Sequence, residues 1–172
     1  MPKELWGNRP SGPGPQNWQT PPALFQQLDQ EFHFTVDAAA SDDNHLCPRY
    51  WTEETDGLAQ DWTSERVFCN PPFSKMRKWV LKASSESDID VAAMITPAAI
   101  DSKWWTENVL PTVSEIRFIK GRVWFLKDGK QQQAVNPIGC TILIWDNSRK
   151  TEPRVSWEYT WPGRQGWLAD DT

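Results

Sequence analysis

The spacing of apolar residues along the chain predicts an alternation of helices and strands. In the stretch TPPALFQQLDQEF, apolar side chains recur at helical spacing at Leu24, Phe25 and Leu28, and a candidate N-cap, Thr20, precedes two prolines at the predicted helix start. Helical spacing recurs in KMRKWVLKASSES, and a further helix is predicted around KWWTENVL. Strands are predicted in five short apolar runs: FTVDAAAS, RVFCN, DVAAMITP, EIRFIKGRVWFL and GCTILIWD.

The order of these elements predicts an α/β fold with helices on both faces of one sheet. DVAAMITP is nearly continuous in apolar residues, as is typical of a buried parallel strand. The last two strands are separated by KDGKQQQAVNPI, which is too short for a crossover helix, so an antiparallel hairpin is predicted at the C-terminal side. The predicted sheet is compact, because the stretch from Asp37 to Asn70 is too short for two complete βα units.

A length of 172 residues indicates one domain. Residues 1–17, MPKELWGNRPSGPGPQN, are rich in proline, glycine and polar residues and are predicted to form a flexible arm. The domain is predicted over residues 18–160, ending in a peripheral strand. Residues 161–172 are predicted to be a loose acidic tail.

Composition restricts the classes of partner. The net charge of −5 and the isoelectric point near 5.0 exclude a protein whose whole surface is positively charged. Binding to a nucleic acid would therefore require a local basic face. Lys75, Arg77 and Lys78 are candidates for such a face, and a solvated helix surface explains them equally well. The 12 tryptophans predict either an aromatic core or planar surfaces on which a flat ligand stacks.

Cysteine and histidine usage predicts neither a disulfide nor a metal site. The three cysteines have no paired spacing, and the two histidines form no ligand cluster with them. No charged-then-apolar leader and no apolar stretch near 18 residues is found in the sequence, so a membrane partner is not expected. These observations predict a cytoplasmic protein without a metal.

The stretch VFCNPPFS carries the strongest chemical signal. Proline lacks a backbone donor and fixes φ, so a strand through Val67 and Phe68 has to end at Asn70. In an open α/β sheet, ligands bind outside the carboxyl ends of the strands. At that position the Asn70 side-chain oxygen and the Pro71 carbonyl could each accept a hydrogen bond from one N–H group of an amine. The Phe73 ring could stack on the flat ring to which the amine is attached. Cys69 is predicted to point away from this site, because strand side chains alternate.

The chain resembles a known family at these residues. NPPF resembles the [DNS]-P-P-[FYW] signature of S-adenosylmethionine-dependent amino-methyltransferases, and WQTP resembles the W-x-T-P element of DNA amino-methyltransferases. The order WQTP, FTVDAAAS, DGLAQDW, NPPF over roughly residues 18–146 is similar to the phage Dam-like DNA N6-adenine methyltransferases. The resemblance implies a truncated Rossmann-like methyltransferase sheet, S-adenosylmethionine as cofactor, double-stranded DNA as partner and action in the bacterial host cytoplasm.

The resemblance also implies roles for individual residues. Asn70 and Pro71 would hold the target amine, Pro72 would fix the turn, and Phe73 would stack on a flipped adenine. The cofactor would contact eight residues: Trp18, Thr20, Pro21, Asp37, Ala38, Ala39, Asp61 and Trp62. Lys75, Arg77 and Lys78 would contact DNA.

Three questions stay open in the sequence. The ribose-binding residue is unassigned among Asp42, Asp43, Asn44 and Glu53. The segment KDGKQQQAVNP is either a sequence-reading element or a hairpin tip. The third question is the substrate. The resemblance suggests GATC in DNA as the target, but NPP-aromatic motifs also serve RNA and protein-glutamine methyltransferases. A catalytically silent nucleic-acid-binding module is a further alternative.

Overall fold

The computed structural model describes residues 18–131, 138–149 and 154–160. Outside these residues lie the predicted arm (1–17), residues 132–137 of the segment KDGKQQQAVNP, and the predicted tail (161–172). Eight strands are described: β1 (Val36–Asp37), β2 (Arg66–Cys69), β3 (Val91–Pro97), β4 (Glu115–Lys120), β5 (Leu126–Lys127), β6 (Lys130–Gln131), β7 (Cys140–Asp146) and β8 (Arg154–Thr160).

Six of these strands form one open sheet in the order β1-β2-β3-β7-β4-β8. β1, β2 and β3 are parallel, β7 is antiparallel to both β3 and β4, and β8 is parallel to β4. The ends of β1 to β4 therefore lie at one end of the sheet, which we call the carboxyl end, and their beginnings lie at the amino end. The predicted α/β class is confirmed.

Helices cover both faces of the sheet, as the sequence predicted. Helix α1 (Pro22–Phe32) packs its buried stripe on one face, in a cluster with Phe68, Ile95 and Ile142. Helix α2 (Met76–Ser85) packs on the other face with Val67, Cys69 and Leu143. All seven residues of β3 are buried, because this strand is covered on both sides.

A π-helix over Trp105–Val109 joins α2 on its face of the sheet. The prediction of a helix around KWWTENVL is therefore confirmed, but its hydrogen bonding is of the wider π type: Leu110 N donates to Trp105 O. Within the described residues, no helix has the length and hydropathy required to cross a membrane.

The predicted strand EIRFIKGRVWFL is wrong in its second half. β4 ends at Lys120, and Gly121 has φ of 85°, which turns the chain away from the sheet. The antiparallel pairing of this region with GCTILIWD is confirmed, since Glu115–Phe118 pair with Thr141–Ile144. The chain beyond Gly121 forms instead a separate hairpin of β5 and β6, which turns at Asp128 and Gly129 with φ of 52° and 70°.

Candidate active site

The carboxyl end of the sheet brings together motifs that are far apart in the sequence. β1 ends at Asp37, and the neighbouring β2 leads directly into Asn70. Pro71 and Pro72 end β2, and a 3₁₀ turn at Phe73–Lys75 leads into α2. Asp37 and the NPPF segment therefore lie at the ends of adjacent parallel strands, where ligands of α/β sheets bind.

The side chain of Asn70 has a defined orientation. Its amide nitrogen, Nδ2, donates a hydrogen bond of 2.9 Å to the backbone carbonyl of Trp18. A carbonyl oxygen can only accept, so the nitrogen must be the atom that faces Trp18. The side-chain oxygen Oδ1 therefore takes no part in this contact and is the atom of the side chain that can accept a hydrogen bond.

Aromatic rings of the NPPF and WQTP segments meet at Phe125. Phe73 is half-buried, and its ring stands edge-on to Phe125 at a centroid distance of 6.0 Å. Phe125 in turn lies 6.1 Å from the Trp18 ring. Phe125 was not among the predicted site residues, and nothing in its local sequence marks it, since only the turn at Gly121 returns it to the site.

A narrow cavity opens between the WQTP segment and the strand ends. It is lined by Trp18, Thr20, Asp37, Ala39, Asn44, Leu46, Phe68 and Asn70. Five of these residues were predicted for the site, and Asn44 was one of the ribose candidates. Phe68 and Asn70 share the α1 face of β2, whereas Cys69 faces α2, as the alternation of strand side chains predicted.

Asp37 is a buried acid at the wall of this cavity, with 4% of its surface exposed. The backbone N–H of Leu46 donates to Oδ2 at 3.1 Å, and that of Ala39 donates to Oδ1 at 3.4 Å. Burial outweighs these hydrogen bonds and the nearby His45 and raises the pKa of Asp37 from 3.8 to about 6. A cation bound in the cavity would stabilise the Asp37 carboxylate and so lower this pKa.

The two ends of the WQTP segment have different surroundings. Thr20 is buried and lines the cavity, whereas Pro21 caps helix α1, its carbonyl accepting from Leu24 N and Phe25 N. The N-cap is therefore Pro21, and the prediction of Thr20 as N-cap is wrong. This leaves the Thr20 side chain at the cavity rather than at the helix end.

Asp61 and Trp62 do not line the cavity. Trp62 has no exposed surface and packs between Trp51 and Trp79, with its Nε1 donating to Gly57 O at 2.9 Å. Asp61 is exposed, and hydrogen bonding from the Thr63 side chain, followed by that from Thr63 N, lowers its pKa. The structure thus places Trp62 in the core cluster that also contains Ala38, and Asp61 in a turn. Neither lines the cavity.

The four ribose candidates also separate. Asp42 accepts a hydrogen bond from the Tyr50 hydroxyl at 3.1 Å, and Glu53 forms an ion pair with Lys75 at 3.2 Å. Asp43 is exposed and does not line the cavity. Asn44 is the candidate that the structure brings to the cavity wall.

Exposed basic side chains follow the NPPF turn and the end of β4. Lys75, Arg77 and Lys78 are exposed at the start of α2, directly after the NPPF turn. Further exposed basic residues follow the end of β4: Arg122, Lys127 and Lys130. The amino end carries side chains of both signs, among them Glu31, Asp90, Asp146, Arg66 and Arg149. The chain is therefore acidic overall but carries a basic group of side chains beside the candidate site.

A larger cleft, of about 290 Å³, lies at the amino end of the sheet, near Glu31, Arg66 and Arg149. Arg149 is already paired with Glu31, Glu115 and Asp146 at 3.0–3.4 Å. Because Arg149 is engaged in these ion pairs and none of the predicted site residues lines this cleft, we assign the site to the smaller cavity at the carboxyl end.

The fold and the site define an α/β protein with an oriented Asn-Pro-Pro-Phe loop beside an acidic cavity. The chain belongs to the Dam family, described as DNA N-6-adenine-methyltransferase, whose profile matches residues 13–161. This confirms the family resemblance that NPPF and WQTP indicated.

Two phage relatives, each named DNA N-6-adenine-methyltransferase, are similar to this chain. The protein of Escherichia phage T1 is 31% identical over 116 residues, which cover 61% of this chain and 48% of the phage protein. The protein of Haemophilus phage HP1 (strain HP1c1) is 28% identical over 115 residues, which cover 64% of this chain and 66% of that protein. The chain thus matches about half of one relative and just under two thirds of the other.

Proposed function

We propose that this protein transfers a methyl group from S-adenosylmethionine to the N6 amine of an adenine flipped out of double-stranded DNA. The observation that carries the proposal is the hydrogen bond from Asn70 Nδ2 to Trp18 O, which leaves Oδ1 as the acceptor of this side chain, in the loop that also carries the half-buried Phe73 ring. Family membership supports adenine in DNA as the substrate class.

The cavity residues fit the charge of the cofactor. S-adenosylmethionine is an electrophilic methyl donor that carries a sulfonium and an ammonium group, so an acidic wall favours its binding. Asp37 supplies a carboxylate, Asn44 an amide and Thr20 a hydroxyl group at this wall. The enclosed part of the cavity, about 10 Å³, has room for one water molecule, so a cofactor of this size has to extend from its mouth over the strand ends.

Asn70 acts on the amine in the proposed mechanism. The N6 lone pair of adenine is delocalised into the ring, which makes the amine a poor nucleophile. Asn70 Oδ1 and the Pro71 carbonyl would each accept a hydrogen bond from one N–H group of the amine and favour the pyramidal nitrogen, whose lone pair is then free to form the N–C bond. S-adenosylmethionine would supply the methyl group, and its sulfur would keep the electron pair of the broken methyl–sulfur bond. The nitrogen loses one proton to solvent. Pro72 fixes the turn that places the carbonyl.

Phe73 holds the base in this geometry. Stacking on an aromatic ring contributes about 1–3 kcal/mol per base, which offsets part of the few kcal/mol needed to flip a base out of the duplex. Phe73 is suited to this role because its ring is only half-buried and is supported edge-on by Phe125.

The basic residues around the site supply phosphate contacts in this proposal. Lys75, Arg77 and Lys78 begin the helix that follows the NPPF turn, so they lie close to any strand whose base enters the site. Lys127 and Lys130 flank the tip of the β5–β6 hairpin and provide a second group of charges.

A methyl-transfer assay tests the proposal. Purified protein and S-adenosylmethionine labelled in the methyl group are incubated with duplex DNA containing GATC, with the same duplex lacking adenine at that site, with RNA, and with protein. Label in adenine of the first duplex alone is the expected result. Label in RNA or protein would favour another amino-methyltransferase, and cofactor binding without transfer to any substrate would contradict the proposed reaction.

A further inference from the structure

The β5–β6 hairpin contacts the WQTP segment at the active site rather than the main sheet. Gln19 and Leu126 exchange two backbone hydrogen bonds of 2.9 Å, one in each direction. The segment before α1 therefore pairs with the first strand of the hairpin, although 107 positions, 126 minus 19, separate the two residues.

The side chain of Gln19 extends this contact to the hairpin tip. Its oxygen, Oε1, accepts a hydrogen bond of 2.8 Å from the backbone N–H of Gly129. Gly129 and Asp128 form the turn, and both have positive φ, so this N–H has a fixed direction. One residue, Gln19, thus binds both the strand and the turn of the hairpin.

The same segment orients the candidate catalytic residues. The carbonyl that receives Asn70 Nδ2 belongs to Trp18, the immediate neighbour of Gln19. Phe125, which precedes the hairpin, contacts the rings of both Trp18 and Phe73. The directions of Asn70 Oδ1 and of the Phe73 ring are therefore set by groups that the hairpin holds in place.

We infer that the β5–β6 hairpin positions Asn70 and Phe73 for methyl transfer, with Gln19 as the positioning residue that joins the hairpin to the active site. This inference rests on the proposed function. Rotation of the Trp18 peptide would redirect Asn70 Oδ1. The two backbone hydrogen bonds of Gln19 to Leu126 and its side-chain hydrogen bond to Gly129 together restrain that rotation. The reacting atoms have to be held within a fraction of an ångström, so loss of one restraint lowers the rate without removing a substrate contact.

Two substitutions of the same length test the role of Gln19. Gln19→Met keeps the length of the side chain but removes the acceptor for Gly129 N–H, whereas Gln19→Glu keeps an acceptor. We expect kcat to fall about two- to tenfold in Gln19→Met, the range for loss of one hydrogen bond, and to stay near the wild-type value in Gln19→Glu. KM for S-adenosylmethionine should stay within about twofold in both variants, because no predicted cofactor contact is lost.

Gln27→Met is the matched control, since Gln27 is exposed on α1. Equal rates in Gln19→Met and Gln27→Met, or an equally slow Gln19→Glu, would overturn the inference. Phe125→Leu, which keeps an apolar side chain in a buried position, should also lower kcat, because it removes the ring that supports Phe73.

A measurement without catalysis separates this inference from the proposed function. The side-chain amide resonance of Asn70, assigned with Asn70→Ala, should shift and exchange faster with solvent in Gln19→Met but not in Gln19→Glu. A wild-type protein that transfers no methyl group would refute the proposed function alone. Unchanged Asn70 amide exchange in Gln19→Met would refute the positioning role alone.

Discussion

The α-carbon of Gly57 lies against the carbonyl of Ala38, so closely that a side-chain Cβ at position 57 would stand 2.1 Å from that oxygen. Ala38 follows Asp37 and continues from β1 into the loop that borders the cavity. The loop after Asp37 and the turn at Asp56-Gly57 are therefore packed backbone against backbone. Only glycine permits this approach.

Gly57→Ala should therefore destabilise the protein and weaken cofactor binding together. We expect a loss of about 1–3 kcal/mol in the free energy of unfolding, because the backbone oxygen has to shift. Gly139→Ala is the control, since a Cβ there meets its nearest atom, Arg122 Nη1, at 3.4 Å. Urea unfolding and calorimetry with S-adenosylmethionine measure the two effects, and an equal stability of both variants would contradict this packing argument.

Asn70→Ala should abolish methyl transfer and leave cofactor binding largely intact. Removal of one oriented hydrogen-bonding group at a reacting centre typically lowers kcat about 100- to 1000-fold. Asn147→Ala is the matched control: Asn147 Nδ2 also donates to a backbone carbonyl, that of Ser87 at 2.5 Å, but near the start of β3 at the amino end. A near-normal transfer rate in Asn70→Ala would remove this residue from the mechanism.

Cofactor affinity should increase as the pH rises through about 6, where Asp37 ionises in the folded protein. Asp37→Asn should remove most of this pH dependence and lower the affinity at pH 7.5 about tenfold, since a charged hydrogen-bond partner is lost. Calorimetric titration between pH 5 and 8 measures the affinity. If Asp37→Asn shows the same pH profile as wild type, the ionisation belongs to a group other than Asp37.

The stability of the unliganded protein should change with pH in the opposite direction. The pKa of Asp37 is higher in the folded state, about 6, than the ordinary value of 3.8, so the folded state binds more protons between these values. The contribution of Asp37 to stability is therefore fully present below pH 3.8 and is lost as the pH rises to about 6. Urea unfolding at pH 5 and 7.5 should show a smaller decrease in Asp37→Asn than in wild type.

Arg77→Ala and Lys78→Ala should each weaken binding to duplex DNA and reduce its dependence on salt. A lost phosphate contact lowers the slope of log K against log salt concentration by about 1. Lys82→Gln is the control, because Lys82 lies on the same helix but pairs with Glu86 near its C-terminal end. Fluorescence anisotropy at several salt concentrations measures the slopes, and equal slopes for all three variants would place the DNA elsewhere.

The sequence by itself determined both α-helices, most strands of the main sheet and the point at which β2 ends. Apolar periodicity identified both α-helices, because α1 and α2 each have one buried stripe, and the Pro-Pro pair ended β2 at Asn70. The alternation of side chains on β2 placed Cys69 on the face opposite Asn70. These features are local: each follows from neighbouring residues and from the φ and hydrogen-bonding limits of proline.

Only the tertiary structure decided what surrounds that loop. Trp62 has a flat ring of the kind that stacks on ligands, but it is enclosed by Trp51 and Trp79. Its burial depends on contacts with distant residues rather than on its neighbours in the sequence. Phe125 reaches the site, and the hairpin reaches Gln19, because Gly121 turns the chain out of the sheet and the chain returns as a hairpin. The contacts that build the site join residues far apart in the sequence: Asn70 and Trp18, for example, are 52 positions apart. No local sequence pattern encodes such contacts.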